Sequence, residues 1–333
     1  MVRPFSESAQ VTCRCYSLPL QRVISDFGAD VAFTKVPEKL KEHHGIDVPI
    51  SSARAITESH AEKMHQQLVL EETVPAKAGV SRLVAEMDGT SIPIVETVEQ
   101  FDQQGKPIDR RTTRQTQRKE ARLCLVRPAE QRKAIFGATL GSTDEAGDHL
   151  LDCAIRCGMG SATQIHGCGD GASWISNQME RVFGEQSHYL LDFYHVSEYL
   201  ADAADTCAPT SAKEWFHQQQ QRLKSNNWQR VLDELKPYLE ASNVDESEAP
   251  VRQAYRYLNN RSHQLDYQGA IAAELPIGSG EIESAHRYVI LERLEIAGAW
   301  WTQENAQNML TMRVQRENQQ WDDYWDSSAF RVA

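Results

Sequence analysis

Three acidic positions in this chain stand where a carboxylate is free to do chemistry. Asp170 lies in Gly169-Asp170-Gly171-Ala172-Ser173-Trp174-Ile175, and Asp88 in Met87-Asp88-Gly89-Thr90. Glu281 and Glu283 lie in Gly278-Ser279-Gly280-Glu281-Ile282-Glu283-Ser284. Glycine beside an acid removes side-chain bulk and leaves the carboxylate open to solvent, ligand or metal. Any one such acid is more often a turn residue than a catalytic one, so the conjunction carries the signal. Converging carboxylates repel one another and hold their protons more tightly. A divalent cation removes that penalty, and Mg²⁺ needs only a few carboxylates beside its waters and a substrate phosphate. Two such ions about 3.5–4 Å apart clamp a phosphodiester, one at the attacking oxygen and one at the leaving oxygen. The glycines do not form a phosphate-cradle fingerprint.

The elements around these acids define an α/β unit. Leu83 to Thr90 reads as a strand running into a turn, and Ile92 to Val95 as a second short extended piece. Polar sequence follows to Glu120, then strands over 121–126 and 134–140. Asp144 to Gly158 reads as a helix with Leu150, Leu151, Ala154 and Ile155 on one face. A short strand then leads to Asp170, a helix follows to Gly184, and His188–Phe193 is the last strand. Helical crossovers between the late strands imply parallel pairing. Asp192 and His195 form an acid-x-x-His pair in which Asp192 caps a helix and His195 lies one turn along. The two either order the site and touch a ligand, or are a cap and a structural histidine. His166 and His286 are expected to be structural or to stand behind the acids.

Four regions follow from the changes in texture. Residues 1–79 read as helical, with one helix from Val31 to His43 stopped by Gly45 and a second capped by Ser51 or Ser52. That pair is a helix-turn-helix or an ordinary helical hairpin. Residues 80–200 hold the first part of the α/β core. Residues 201–274 are polar and helical, too long for a connection, with Trp215, Trp228 and Tyr238 as expected packing anchors. Residues 275–333 return as helices completing the core, the last one capped by Thr302.

Composition narrows the class. With 333 residues, 41% hydrophobic and 25% charged, the chain has room for two or three compact units. No apolar run approaches the roughly 20 residues of a membrane span, and no secretory h-region is seen at the N-terminus. Seven scattered cysteines argue for a reducing cytoplasm. Cys13-x-Cys15 lacks further zinc ligands upstream, and a shortened copy is one reading of that. The net charge of −12 speaks against nucleic acid, but residues 106–133 alone carry +7. That stretch is either a solvated loop or a strip that meets phosphates, through Arg110, Arg111, Arg114, Arg118 and Lys119.

Taken together, the Asp88, Asp170 and Glu283 motifs resemble a DDE transposase of bacterial insertion sequences. Leu191-Asp192-Phe193-Tyr194-His195, Lys119-Glu120-Ala121 and the tail Ala297-Gly298-Ala299-Trp300-Trp301 add to the likeness. The resemblance is closest to the ISKra group, within the wider Mutator-like transposases, and runs from about residue 13 to the C-terminus. It implies a ribonuclease H-like mixed sheet flanked by helices, with an all-α insertion before the last acid. It makes Asp88, Asp170 and Glu283 the catalytic ligands of Mg²⁺, with Mn²⁺ as the substitute. Asp192, His195 and Glu281 would support them, Glu281 being the rival to Glu283, while Arg287 would pair with Glu283 or reach a phosphate. The implied partners are double-stranded DNA, as transposon terminal inverted repeats and target, and further copies of the chain. The implied location is the bacterial cytoplasm. Two alternatives remain: a catalytically silent or truncated DNA-binding derivative, and a ribonuclease H-like nuclease that does not transpose.

Overall fold

The alternation Leu83, Ala85, Met87 against Glu86, Asp88 builds a strand with one wholly apolar side. In the computed structural model, which describes residues 16–97 and 99–327, that strand is β1, Arg82–Thr97. It is one continuous 16-residue strand rather than two short pieces. Pro93 does not interrupt it. Its missing N–H falls on the edge that carries the Val95 N–H, and Val95 donates to the Trp301 carbonyl at 2.7 Å, beyond the reach of any neighbouring strand. The polar stretch before Glu120 is likewise not a loop. It forms the first half of β2, Arg114–Pro128, paired antiparallel with β1 from Thr97↔Arg114 to Leu83↔Pro128. Arg114 to Arg118 are exposed along this arm, so it lacks the apolar alternation by which a half-buried strand is recognised.

β3 (Ile135–Thr139), β4 (Gln164–Gly169) and β5 (Ser187–Leu191) complete a mixed sheet in the order β3-β2-β1-β4-β5. β3 is antiparallel to β2, while β4 runs parallel to β1 and β5 parallel to β4. One face packs on α5 (Thr143–Arg156) and α6 (Ser173–Phe183). There Leu83, Ala85 and Met87 meet Leu150, Cys153, Ile175 and Met179. A capping box at Ser142 starts α5. Cys153 is buried in this core as expected, and Cys157 is half-buried beside it.

The other face of β1 and β2 is covered by the C-terminal helices. One begins at α12 (Gly280–Ala285), passes through a π segment (His286–Leu291) and ends at Glu292–Leu294. One side of this helix is buried throughout. Ile282, His286, Ile290 and Leu294 are all buried at four-residue spacing, as are Ala285, Val289 and Arg293. These are the three- and four-residue spacings of an amphipathic helix, and the π turn lies within that face. Unwinding displaces backbone hydrogen bonds, and Arg313 serves the carbonyls there: Nε donates to Val289 O at 2.7 Å and Nη2 to Tyr288 O.

Arg313 lies on α13 (Gln303–Glu317), capped by Thr302 as the sequence suggests, although α14 (Trp321–Asp326) follows it. The N-terminal helices α1 (Leu18–Asp30) and α3 (Ile50–Gln66) pack on the outside of α13, and α2 (Val36–His44) packs on those two. The expected single helix from Val31 is replaced by a break over 31–35, and α2 restarts just before Pro37, which suits a first turn. Gly45 does end α2, at φ 66°. α3 starts after Pro49, so Ser51 and Ser52 fall inside its first turn and cap nothing. Arg313 Nη1 and Arg293 Nε take the end carbonyls of α1, at Ala29 (2.7 Å) and Gly28 (2.9 Å).

Between β5 and α12 the chain forms α7 (Phe193–Cys207), α8 (Ala212–Lys224), α9 (Trp228–Leu235), α10 (Pro250–Asn259) and α11 (Tyr267–Ala272). They share one core built on Leu200, Trp215, Leu223, Leu235, Leu258 and Tyr267. Trp215 is the anchor expected and Trp228 packs at its margin, but Tyr238 is exposed. Among the described residues no helix is long and apolar enough to cross a membrane. Cys13 and Cys15 lie outside the described residues.

Candidate active site

The parallel register pairs Glu86 with Cys168 and Cys168 with Leu190. Two residues further along each chain stand Asp88, Asp170 and Asp192, so the register carries three acids to one level across β1, β4 and β5. The pairing continues there, because the Asp192 N–H donates to Gly169 O at 2.7 Å.

Asp192 and Glu86 then fix the helix that carries Glu283. Asp192 is buried, and its Oδ1 accepts from the N–H groups of Tyr194 (2.6 Å) and His195 (3.0 Å), capping α7 as its position suggests. Its Oδ2 accepts from both the N–H and the hydroxyl of Ser279, each at 2.6 Å. Glu86 is 1% exposed, and its Oε2 accepts from the Ile282 N–H at 2.9 Å. Two buried carboxyl groups thus take up N–H groups at the start of α12, where a helix leaves its donors unpaired. Gly278 lets this turn close, since a Cβ there would stand 2.6 Å from the Tyr194 ring. Burial pushes the Glu86 carboxyl up to about 8, against the opposing pull of the Ile282 N–H.

On that fixed helix the two candidate glutamates diverge. Glu281 is engaged by Arg127, whose Nε lies 2.7 Å from Oε2. Glu283 is exposed and within electrostatic reach of Asp192 and Asp88. Partial burial, followed by the negative charges of Asp192, Asp88 and Glu198, holds its carboxyl above the usual range, while His195 works in the opposite direction. Asp88 accepts from the Gly89 N–H at 2.7 Å through Oδ1, and His286 Nε2 stands 3.2 Å from its Oδ2. Arg287 does not pair with Glu283; it is exposed and lies 3.5 Å from Glu292.

Asp170 sits on a turn braced from the helical insertion. The Tyr257 hydroxyl donates to the Asp170 carbonyl at 2.5 Å, and Arg261 Nε donates to Gly171 O at 3.0 Å. The Asp170 carboxylate accepts from the Ala172 N–H at 2.8 Å. The flanking glycines serve packing first. A Cβ on Gly169 would stand 2.7 Å from the Tyr189 hydroxyl, and one on Gly171, at φ 79°, 2.5 Å from Leu191 Cδ1. Asp170 borders an open cleft of about 740 Å³ that is also lined by His195, Tyr199, Arg256, Tyr257 and Arg261. His195 Nδ1 lies 3.2 Å from Glu198, and its ring meets Tyr199 and Tyr257 edge-on. His166 is structural, its Nε2 2.8 Å from Pro276 O.

The basic stretch lies mostly on the β1–β2 arm. Arg114 stacks over Trp300 at 4.0 Å, and Arg118 reaches Glu295 (2.7 Å) and the Ser91 carbonyl. Lys119 is half-buried, and Arg110 and Arg111 open a single helical turn, α4 (Arg110–Thr113). Trp301 is buried against Arg293 and Phe33, whereas Trp300 is exposed.

The donor set suits a hard divalent cation: oxygen ligands, mutually repelling, at the open end of a rigid sheet. It is not a closed cage, since among the described residues no three His, Cys, Asp or Glu side chains gather closely enough to hold one metal ion. The sequence assigns no role to Glu86, Ser279 or Tyr257. Glu86 alone carries a signal there, as a lone acid inside the apolar run Leu83–Met87. Residues 159–323, from the approach to β4 into α14, match the Uncharacterised protein family (UPF0236). No curated protein matches the chain.

Proposed function

We propose that this chain is a metal-dependent DDE-type transposase with a ribonuclease H-like core. The observation that carries the reading is the 3-2-1-4-5 sheet with Asp88 and Asp170 level on adjacent strands and Glu283 on a helix clamped to β1. Asp88, Asp170 and Glu283 would hold Mg²⁺, or Mn²⁺ in its place, and share its coordination with substrate phosphate. The ions, when bound, activate the attacking oxygen and neutralise the leaving one. The chain itself contributes position. Asp192 and Glu86 keep Glu283 facing Asp88, Tyr257 and Arg261 keep the Asp170 turn in place, and Arg127 holds Glu281 aside. Water would attack the phosphodiester at the element's end, and the freed 3′-hydroxyl would attack target DNA. The partners in this reading are double-stranded DNA and further copies of the chain, in a bacterial cytoplasm.

The test uses the full chain with DNA carrying the inverted repeats that flank its gene. Asp88→Asn, Asp170→Ala and Glu283→Gln are expected to abolish nicking in Mg²⁺ and to leave DNA binding within a fewfold. Glu281→Gln is expected to retain nicking. Cleavage by the Asp170→Ala protein would sink the assignment. One rival is a DNA-binding derivative without chemistry, and with it agrees the fact that no three-ligand cage closes among the described residues. Binding of the repeats with no nicking by the unaltered chain would select it.

A further inference from the structure

His286 is 5% exposed, and neither ring nitrogen has a hydrogen-bond partner among the described residues. A buried imidazole left so costs stability, on the order of 1–3 kcal/mol for each unpaired group. Its surroundings show where it is aimed. Nε2 stands 3.2 Å from Asp88 Oδ2, a separation right for a hydrogen bond that is short only of alignment.

The aim is built into the fold at two points. Ile282 is tied to Glu86 by its N–H, and four residues on, His286 meets Asp88, two residues on from Glu86. Two strand residues advance roughly 6.6 Å and four helical residues roughly 6 Å, so helix and strand keep step over this interval. Residues four apart share a face of the α-helical turn that joins them, so His286 lies on the sheet side with Ile282. Asp88 Oδ1 is already held by the Gly89 N–H, which leaves Oδ2 as the oxygen whose direction His286 decides.

We infer that His286 is a positioning residue for Asp88, donating from Nε2 to Oδ2 so that the carboxylate presents its remaining lone pairs to a divalent cation. The inference rests on the proposed function, since it takes Asp88 as a cation ligand. His286 itself touches neither metal nor substrate. Groups that orient a ligating side chain in this way typically govern metal affinity by about 10–100-fold.

The test is Mn²⁺ binding alone, measured by titration calorimetry on the full chain without DNA, beside thermal melting of each variant. His286→Leu keeps bulk and loses the donor; His286→Gln keeps a donor that reaches Asp88; His286→Asn keeps a donor that falls short. Mn²⁺ affinity is expected to fall about tenfold or more in His286→Leu and His286→Asn, and to return to within about threefold in His286→Gln. A merely structural histidine would instead rank the three by melting temperature, with no separate effect on Mn²⁺. Should His286→Leu not fold, the contrast between Gln and Asn decides. Asp88→Asn separates the two ways of failing. If Mn²⁺ binding is lost in Asp88→Asn but unchanged in His286→Leu and His286→Asn, the positioning role is wrong and the proposed function stands. If Asp88→Asn and Glu283→Gln leave Mn²⁺ binding unchanged, the proposed function is wrong and the inference falls with it.

Discussion

Replacing Glu86 by glutamine should make this protein more stable at neutral pH. Glu86 is 1% exposed, and burial pushes its carboxyl up to about 8 from an ordinary 4.5. Between those values the folded chain keeps a proton that the unfolded chain has released. The contribution of Glu86 is therefore fully present below about pH 4.5, declines as pH rises, and is lost by about pH 8. The decline amounts to about 1.4 kcal/mol per pH unit, or about 3 kcal/mol by pH 7. Glutamine carries no such proton and still offers a carbonyl to the Ile282 N–H. Urea unfolding of both proteins from pH 5 to 8.5 should give two stability curves that diverge with pH, the Glu86→Gln protein uppermost. Parallel curves would mean that Glu86 ionises freely in the fold and that the argument from burial is mistaken.

Two further predictions concern packing. Gly169→Ala should destabilise by about 1–3 kcal/mol, because its Cβ meets the Tyr189 hydroxyl at 2.7 Å. Adding Tyr189→Phe should recover part of that loss, and additive melting shifts in the double variant would rule out the contact as the cause. Arg313→Met should cost about 3 kcal/mol or more, since it strips donors from the Val289, Tyr288 and Ala29 carbonyls together. Denaturant unfolding would measure it, and a loss below about 1 kcal/mol would show that the π segment holds without its arginine.

What the sequence discloses follows the range of the interactions involved. Asp88, Asp170 and Glu283 stand out because glycines and chain breaks mark them locally. The Asp192 cap of α7 is equally local, and the structure confirms it. Its second task, holding Ser279, links residues 87 positions apart and leaves no trace in either segment. The same is true of Tyr257 on the Asp170 carbonyl. The glycines around Asp170 suggest open space, but they are needed for Tyr189, Leu191 and the left-handed turn. The arm of β2 is hidden because an exposed strand has no buried face to impose alternation. The π segment leaves no mark in the sequence, because the buried positions from Ile282 to Leu294 fall at the three- and four-residue spacing of any amphipathic helix.

The clamp on α12 has a consequence for how the protein comes into being. All five strands are synthesised by residue 191, but the helix that covers β1 starts only at residue 280, and the arginine serving its π segment lies at 313. Translation delivers roughly 5–20 residues per second, so a nascent sheet waits on the order of ten seconds with Ile92 and Ile94 uncovered. Throughout that interval Asp88 and Asp170 are present without Glu283. The carboxylates are therefore assembled last, and a ribosome that stalls inside the helical insertion releases a chain whose site has never been put together.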